Sequence, residues 1–568
     1  MILRVDVGRR EGQLLPCSEG WQRLGGRGLV AQILLDEVPP TCDALGPHNR
    51  LIFAPGLLVG HMLSSCDRIS VGGKSPLTGG VKESNAGGTT GFVLAALGLR
   101  AIIIQGWPQD AAWQVLHISR AGVRFDPAGE CAGLGAYASA DWLRQRYGSR
   151  AAMALIGPAG EMGLLTAGIL NLDKDGVPSR ISARGGLGAL MGSKRLKAIV
   201  FDGEGGSRPP LHDAAAYRLA QKVFLQALLG QPQTRVYREL GTAGVATLSN
   251  QLGALPVCGF SQGQFAQIEQ IAGEHLRDVL LARGGDADPS HACMAGCVIR
   301  SSNVFAGADG QALVSPLEYE TIGLMGSNLG IADLDAIAHL NWAANDLGLD
   351  TIDLGAAFGV AAQAGLMSYG DSKRALELLQ EVRLGSPLGR LLGCGAALTG
   401  RVLGVRRVPA VKGQALSAYD PRAVKGTGVT YATSPQGADH TAGLTIRARV
   451  DHLDPHGQAA LSRTAQINMA GYDTLGACIF AGFGFAAAPD ALRDLLNARY
   501  AWAVGSDILQ VLGRQTLRLE RAFNRAAGFG VADDRLPEWM TQEALPPTGA
   551  VFDVSAADLD GVFDEIEG

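Results

Sequence analysis

The 568-residue sequence contains no uninterrupted apolar run of membrane-spanning length, although 47% of its residues are hydrophobic, so no membrane helix is expected. It has no basic surplus either. The 49 Lys and Arg stand against 54 Asp and Glu, a net charge of −5, which leaves no electrostatic footprint for nucleic acid or an anionic membrane. The nine cysteines are odd in number and irregularly spaced, which argues against a disulfide framework. The opening Met1-Ile-Leu-Arg-Val-Asp-Val alternates like a strand and carries no apolar segment with a Sec cleavage site. The expected compartment is a reducing cytoplasm.

Nucleotide motifs are absent in substance, though two segments imitate them. Gly26-Arg-Gly28-Leu-Val-Ala31 has the spacing of a dinucleotide fingerprint, but no strand leads into its first glycine. Gly73-Lys74-Ser75 imitates the end of a P-loop, yet Arg68 stands where the leading glycine belongs and Pro76 follows where a helix should run.

What the chain does have is glycine: 78 residues, many in Gly-Gly pairs, about twice ordinary usage. Its length predicts several domains. Residues 1–205 read as a β-rich unit with strands at 1–7, 51–54, 69–72, 101–105, 115–118 and 196–201. Residues 203–210 read as a linker, followed by two mainly helical units, 206–410 and 411–568. The run from Arg68 to Gly91 is expected as a loop whose small residues, with Arg68, Lys74 and Asn85, wrap a large anionic ligand. Segments 156–161 and 180–194 repeat that style.

Helical spacing from Leu334 to Leu347, with Asp333 to cap its start and Gly348 its end, puts Asn345-Asp-Leu-Gly-Leu-Asp350 at a helix C-terminus. Asp473-Thr-Leu-Gly-Ala-Cys478 repeats the pattern. The pair reads as a faint internal duplication, each copy offering a carboxylate or amide beside a glycine turn to a planar, NH-rich ring. In Asp288-Pro-Ser-His-Ala-Cys-Met-Ala-Gly-Cys297, Gly296 lets the backbone fold so that Cys293 and Cys297 converge on one ion or cluster, with Cys478 the best distant third ligand. Spacing alone equally allows inert, buried thiols. The acidic, Pro-containing stretch 530–568 is expected as a docking tail or a solvated end.

Taken together, these stretches resemble the tungsten-containing aldehyde:ferredoxin oxidoreductase family over nearly the whole chain. The likeness is carried by Gly25-Gly-Arg-Gly28, Leu35-Asp-Glu-Val-Pro39, Lys74-Ser-Pro-Leu-Thr-Gly-Gly80, Ser84-Asn-Ala-Gly-Gly88, Gly157-Pro-Ala-Gly-Glu161 and Arg184-Gly-Gly-Leu-Gly-Ala-Leu-Met-Gly-Ser-Lys194. Further on it includes Glu318-Tyr-Glu-Thr321, Gly326-Ser-Asn328 and Tyr431-Ala-Thr-Ser434. The resemblance implies an α+β fold: a β-rich N-terminal base under two pyranopterins sharing one tungsten (or molybdenum), covered by two mainly helical domains. On that reading Arg68, Lys74, Asn85, Gly87 and Arg180 hold pterin and its phosphates, with Mg between the phosphates. Asn345, Leu349 and Asp350 form one pterin-binding turn and Asp473 belongs to the other. The family prefers Asp where this chain has Asn345.

The cluster motif departs further. The family places three cysteines at C-x2-C-x3-C before a distant fourth, and here the first position is Ser290, so Cys293, Cys297 and Cys478 alone match. The resemblance implies a 4Fe-4S cluster with a non-cysteine fourth ligand: the Ser290 oxygen, or else Asp288 or His291. A three-iron cluster, an open iron or a lost cluster are the alternatives.

The implied reaction interconverts an aldehyde and a carboxylic acid, electrons leaving through the cluster to a ferredoxin or small iron–sulfur subunit. His440 matches the family's active-site histidine, with Glu320 as carboxylate partner and Glu318 close behind. Further copies of the chain in a homo-oligomer are the other expected partner. Two other functions fit the same residues: reduction of an acyl or aromatic thioester within a larger complex, and a non-catalytic pterin-holding or assembly protein with a degenerate cluster site.

Overall fold

The computed structural model describes residues 1–567. Two six-stranded sheets occupy the first third. The first holds β1 (Ile2–Asp6), β2 (Glu11–Leu15), β3 (Leu51–Pro55), β4 (Ile69–Lys74), β5 (Val81–Ala86) and β6 (Ala101–Gln105), in the order β2-β1-β6-β3-β4-β5. The second holds β7 (Gln114–Ser119), β8 (Gly122–Pro127), β9 (Ala152–Leu155), β10 (Ile169–Asn171), β11 (Arg180–Ser182) and β12 (Leu196–Phe201), in the order β11-β10-β9-β12-β7-β8. Each sheet has one parallel pair, β1 with β6 and β12 with β7.

The sheets stack face to face. Phe53 and Ile104 from the first share an apolar cluster with Leu116, Ile199 and Phe201 from the second, and the Phe53 and Phe201 rings lie 6.0 Å apart. The intervening residues of β3 point the other way: Ile52 and Ala54 pack under helix Gly26–Glu37 against Leu29, Val30 and Ile33. Helix Ala136–Tyr147 covers the second sheet's outer face in the same manner. A strand buried on both faces must be apolar at every position, which is why β3 and β6 read as continuous hydrophobic runs. Each such side chain contributes about 1.5–3 kcal/mol on burial.

All six strands expected from the sequence form. The run 68–91, expected as a loop, is instead mostly a hairpin, with Ser70 opposite Asn85 and Gly72 opposite Glu83. Ser, Asn and Gly are weak strand formers, and the ladder to β4 together with burial overrides that weakness.

The rest of the chain is mainly helical, as expected, and one apolar cluster runs through both predicted helical units. It also takes in the end of the chain: Trp539, Leu545, Phe552, Val562 and Phe563 are all buried in it. The stretch 530–566 is therefore anchored by its interleaved apolar side chains rather than a free tail, while most of its polar side chains face solvent. Among the described residues no helix is long and apolar enough to cross a membrane.

Candidate functional site

The two helices singled out in the sequence end where the two sheets meet them. Helix Leu334–Leu347 is capped by Asp333, which accepts from Asp335 N, and ends at left-handed Gly348 (φ 77). Helix Gln458–Leu475 ends at left-handed Gly476 (φ 74). A helix leaves its last carbonyls unpaired, and here the base supplies the donors. Leu57 N and Leu58 N donate to Thr474 O and Leu475 O at 3.2 and 2.9 Å, and Arg68 N donates to Gly476 O at 3.1 Å. On the other side Gly168 N donates to Gly348 O at 2.9 Å, and Asp350 N donates back to Thr166 O at 3.0 Å. The approach is so close that a Cβ on Gly56 would lie 1.9 Å from Gly476 N. The suspected duplication is thus spatial: each sheet seats one helix end, and Asn345 and Asp473 stand at matching places above the base.

Between these helix ends lies a cavity of about 560 Å³. Arg68, Asn85, Gly87, Arg180, Asn345, Leu349, Asp350 and Asp473 all line it, as do Glu318, Glu320, His440, Cys293 and Cys478. Its buried donors and acceptors are partly unused. Arg180 gives Nη1 to Ser302 Oγ (2.9 Å) and Nη2 to Ser315 Oγ (3.3 Å), leaving Nε without a partner. Arg68 donates to Asn85 Oδ1 and, at 3.2 Å, to Asn85 O, while Asn85 Nδ2 and Glu83 Oε1 are buried and unpaired. Buried polar atoms are rarely left so. This donor and acceptor set fits the expected pterin group: arginines and an amide for phosphates, and Glu83, Asn345 and Asp473 for an NH-rich ring edge.

Asp473 is held by Arg27, whose Nη1 lies 3.2 Å from Asp473 Oδ2 and whose Nε and Nη2 bond Glu520 at 2.7 and 2.8 Å. Burial pushes Asp473 up to about 6 and Glu83, which also feels Asp473, up to about 8. Asp350 is more committed, accepting from Ile352 N at 3.0 Å and from Arg184 Nε at 3.2 Å.

On the cavity's wall Glu318 precedes the turn Tyr319–Thr321, which runs into a π-helical turn, Ile322–Gly326, a distortion frequent at functional sites. His440 Nε2 lies 3.0 Å from Glu320 Oε1, and the same oxygen accepts from Tyr419 Oη at 3.1 Å. His440 Nδ1 lies 2.8 Å from Ser417 Oγ, which accepts from Arg184 Nη1 at 3.1 Å. Arginine has only protons to give, so the serine's own proton is left for Nδ1. In the neutral imidazole this network assigns the ring proton to Nε2, facing Glu320. Burial works to raise the Glu320 carboxyl, but His440 outweighs it and the net direction is down. Glu318 is pushed up by burial. Two carboxyls two residues apart are thus driven in opposite directions.

Two thiols, Cys293 and Cys478, line the cavity's other side, and Cys297 is hydrogen-bonded to Cys293. A Cβ on Gly87 would lie 3.2 Å from Cys293 Sγ, and Gly88 N donates to Cys293 O at 3.1 Å. Ser65 joins the other two: its Oγ is 3.3 Å from Cys297 Sγ, and its carbonyl accepts from Cys478 N at 2.7 Å. Ser65 has φ 63, a left-handed conformation that costs a serine about 1–3 kcal/mol. Cys297 is pulled down to about 5, first by the hydrogen bond from Cys293. Soft sulfur donors of this kind suit an iron–sulfur group.

Some expected residues lie elsewhere. Lys74 does not line the cavity; its Nζ donates to the Pro40 and Cys42 carbonyls, the latter at 2.7 Å. The reason is register: Lys74 pairs with Val81, at the opposite end of the hairpin from Asn85. Ser290 lies in a short strand, Asp288–His291, with its carbonyl held by Arg300 Nε at 2.6 Å. His291 is committed elsewhere, its Nε2 2.7 Å from Asp175 Oδ2 and its Nδ1 3.5 Å from Arg180 Nη2. Glu83, Ser417, Ser65 and the fully buried Cys66, which feels the charges of Cys478 and Cys297, were not singled out from the sequence, and Tyr419 stands out there only as the start of a polar segment, Tyr419-Asp-Pro-Arg422, between helical regions. Of the first four, only Glu83 had a signal there, sharing strand parity with Asn85.

Residues 2–203 match the family model described as "Aldehyde ferredoxin oxidoreductase, N-terminal domain", and residues 220–565 match "Aldehyde ferredoxin oxidoreductase, domains 2 & 3". The chain is 32% identical over 551 residues to a tungsten-containing aldehyde ferredoxin oxidoreductase of Pyrococcus furiosus, covering 92% of this chain and 88% of the relative. It is 31% identical over 574 residues to the protein of that description from Thermococcus kodakarensis, covering 96% and 92%. An aliphatic sulfonate oxidoreductase, WOR-like subunit, of Pyrococcus furiosus is 28% identical over 488 residues. The fold is also that of a solved structure, the active site complex BamBC of benzoyl coenzyme A reductase in complex with 1,5-dienoyl-CoA. There the TM-score is 0.79 at 19% identity, covering 100% of this chain and 93% of that one.

Proposed function

The chain belongs to the aldehyde ferredoxin oxidoreductase family, and on that premise we propose that it interconverts an aldehyde and a carboxylic acid. The observation that carries this reading is the convergence on one cavity of the His440–Glu320 pair, the pterin-matched polar residues and the thiols of Cys293 and Cys478. Arg68, Asn85, Gly87, Arg180, Asn345, Leu349, Asp350 and Asp473 would hold the bis-pyranopterin. Cys293, Cys297 and Cys478 would hold the iron–sulfur cluster, and Ser290, outside the cavity wall but three residues before Cys293, would supply a non-cysteine fourth ligand. When bound, these groups supply the two-electron chemistry and the one-electron relay to a ferredoxin-like carrier.

The residues' own task is the protons. Oxidising an aldehyde to an acid consumes a water and releases protons along with electrons, so a group of tunable basicity must stand at the reacting carbon. Ser417 donates to His440 Nδ1 and Nε2–H faces Glu320, whose carboxyl His440 holds below its ordinary range, so Glu320 can accept the Nε2 proton while Nδ1 takes one relayed by the Ser417 hydroxyl. Tyr419 fixes the carboxylate's orientation. Apolar Leu444, Ile446, Phe480 and Phe483 line the same cavity and limit water around the pair.

The test is metal content and low-temperature EPR on anaerobically purified protein, wild type beside Ser290→Cys, with aldehyde-dependent dye reduction. Tungsten or molybdenum with a four-iron signal in wild type supports the reading in full. A three-iron signal converted to four-iron by Ser290→Cys would place the departure at that ligand. Neither metal nor iron in either protein would overturn the oxidoreductase reading in favour of a pterin-holding or assembly role.

A further inference from the structure

A second cavity, of about 740 Å³, opens where the ends of β1, β3 and β6 meet the segment 207–212 and the end of helix Pro489–Tyr500. Arg100, Arg120, Arg208 and Arg499 line it together with His212. Among the described residues none of the four arginines forms an ion pair. Their hydrogen bonds hold them in place without neutralising them. Arg100 donates to Gln22 O and Leu24 O at 2.8 and 2.6 Å, Arg120 donates to Gly205 O, and Arg208 Nη2 reaches only Met62 Sδ at 3.6 Å.

Arg499 is the telling member. It is 8% exposed, its Nε and Nη1 are buried without a partner, and its guanidinium lies over the Tyr500 ring at 5.0 Å. Burying a guanidinium unpaired costs several kcal/mol (order of magnitude), so a fold that keeps one here has a use for it. The surroundings register the excess of positive charge: His61, just behind, is pushed down to about 4, first by burial and then by Arg499 and Arg208. The carboxylate whose field reaches both arginines, Asp67, already accepts from Gly60 N at 2.6 Å.

We propose that this cavity binds a phosphate-bearing small molecule, distinct from anything held between the helix ends. Its volume falls in the range of small-molecule sites, and guanidinium forks recognise phosphate through paired hydrogen bonds. Leu57, Pro209 and Tyr500 on the same walls offer an apolar seat for the organic part. A docked acidic protein fits less well, because Arg499 is too deeply set for a flat surface to reach. The site also has a path to the chemistry: Tyr500 Oη donates to Leu57 O at 2.8 Å, and Leu57 N holds the Thr474 carbonyl beside Asp473.

Isothermal titration of the purified full-length protein with inorganic phosphate, pyrophosphate and ADP tests the proposal. Saturable binding of at least one probe is expected, weakening as salt is added. Arg499→Met should weaken it about tenfold or more, as loss of a charge-assisted hydrogen bond in a buried site does. Should that variant fail to fold, the double variant Arg120→Gln/Arg208→Gln, at exposed positions, should still weaken binding by about threefold or more. Absence of saturable binding by all three probes, or unchanged affinity in the variants that fold, overturns it.

Discussion

His440 Nε2 and Glu320 Oε1 lie 3.0 Å apart in a wall shared with the cavity that gathers the pterin-matched residues. The two come from segments 120 positions apart in the chain, so only the fold makes them a pair. If Glu320 takes the proton that His440 relays, Glu320→Gln should keep the hydrogen bond's shape and lose the base. The loss in kcat should be about 10²–10⁴-fold, the usual contribution of general acid–base catalysis. KM for the aldehyde should change little. A loss confined to KM, measured by steady-state dye reduction, would move Glu320 out of the proton path.

Ser417 should act through His440 as a positioning residue. Ser417→Ala leaves Nδ1 without its donor and Arg184 Nη1 without one acceptor. The expected result is a fall in kcat of about 10-fold or more with a displaced limb in the pH–rate profile, since the imidazole then loses its tautomer preference. Ser417→Thr, which keeps the hydroxyl, should restore the profile. A uniform loss at every pH in both variants would indicate a packing role alone.

Gly87 should prove to be a spacing residue for the cluster. A methyl there would stand 3.2 Å from Cys293 Sγ and 3.4 Å from Met294 Cε, tight enough to displace the thiol but not the hairpin behind it. Gly87→Ala should therefore fold with near-normal circular dichroism while holding less iron per chain. Undiminished iron with an unaltered EPR signal would show that Cys293 gives way without cost.

Much of this arrangement was legible in the sequence because it rests on local rules. Alternation gave β1, and the Asp333 and Gly348 caps gave the helix that presents Asn345. Strand β5 was missed because Glu83, Ser84 and Asn85 have no strand propensity of their own and depend on the ladder with β4. Lys74 was assigned to the cofactor because it shares a glycine-rich run with Arg68 and Asn85, and sequence proximity hides that a hairpin carries its two ends apart. Ser417 and Ser65 had no signal at all, and Tyr419 had only its place at the head of a polar segment between helices. Their roles arise from contacts with residues distant in the chain, and a serine or tyrosine takes its chemistry from its neighbours.

Glu83 yields the last prediction, because its charge is the least compensated in the site. Burial first, and the nearby Asp473 next, push its carboxyl up to about 8 in the folded chain, against about 4.3 for an ordinary glutamate. Between those values the folded protein keeps a proton that the unfolded chain has released, so stability must fall as pH rises through the window. Asp473, pushed up to about 6, acts in the same direction over the lower part of it. At about 1.4 kcal/mol per unit, the Glu83 contribution has a ceiling of about 5 kcal/mol. Glu83→Gln should therefore make the cofactor-free protein more stable at pH 8 than wild type, with little difference at pH 5, as read from urea unfolding at several pH values. Equal stability of the two proteins at pH 8 would mean that the folded site already satisfies the Glu83 charge. The same substitution should weaken retention of the pterin, since an amide replaces one acceptor oxygen with a donor that an NH-rich ring edge repels. A stabilising change that costs the protein its cofactor is the signature of a residue kept for binding at the expense of the fold.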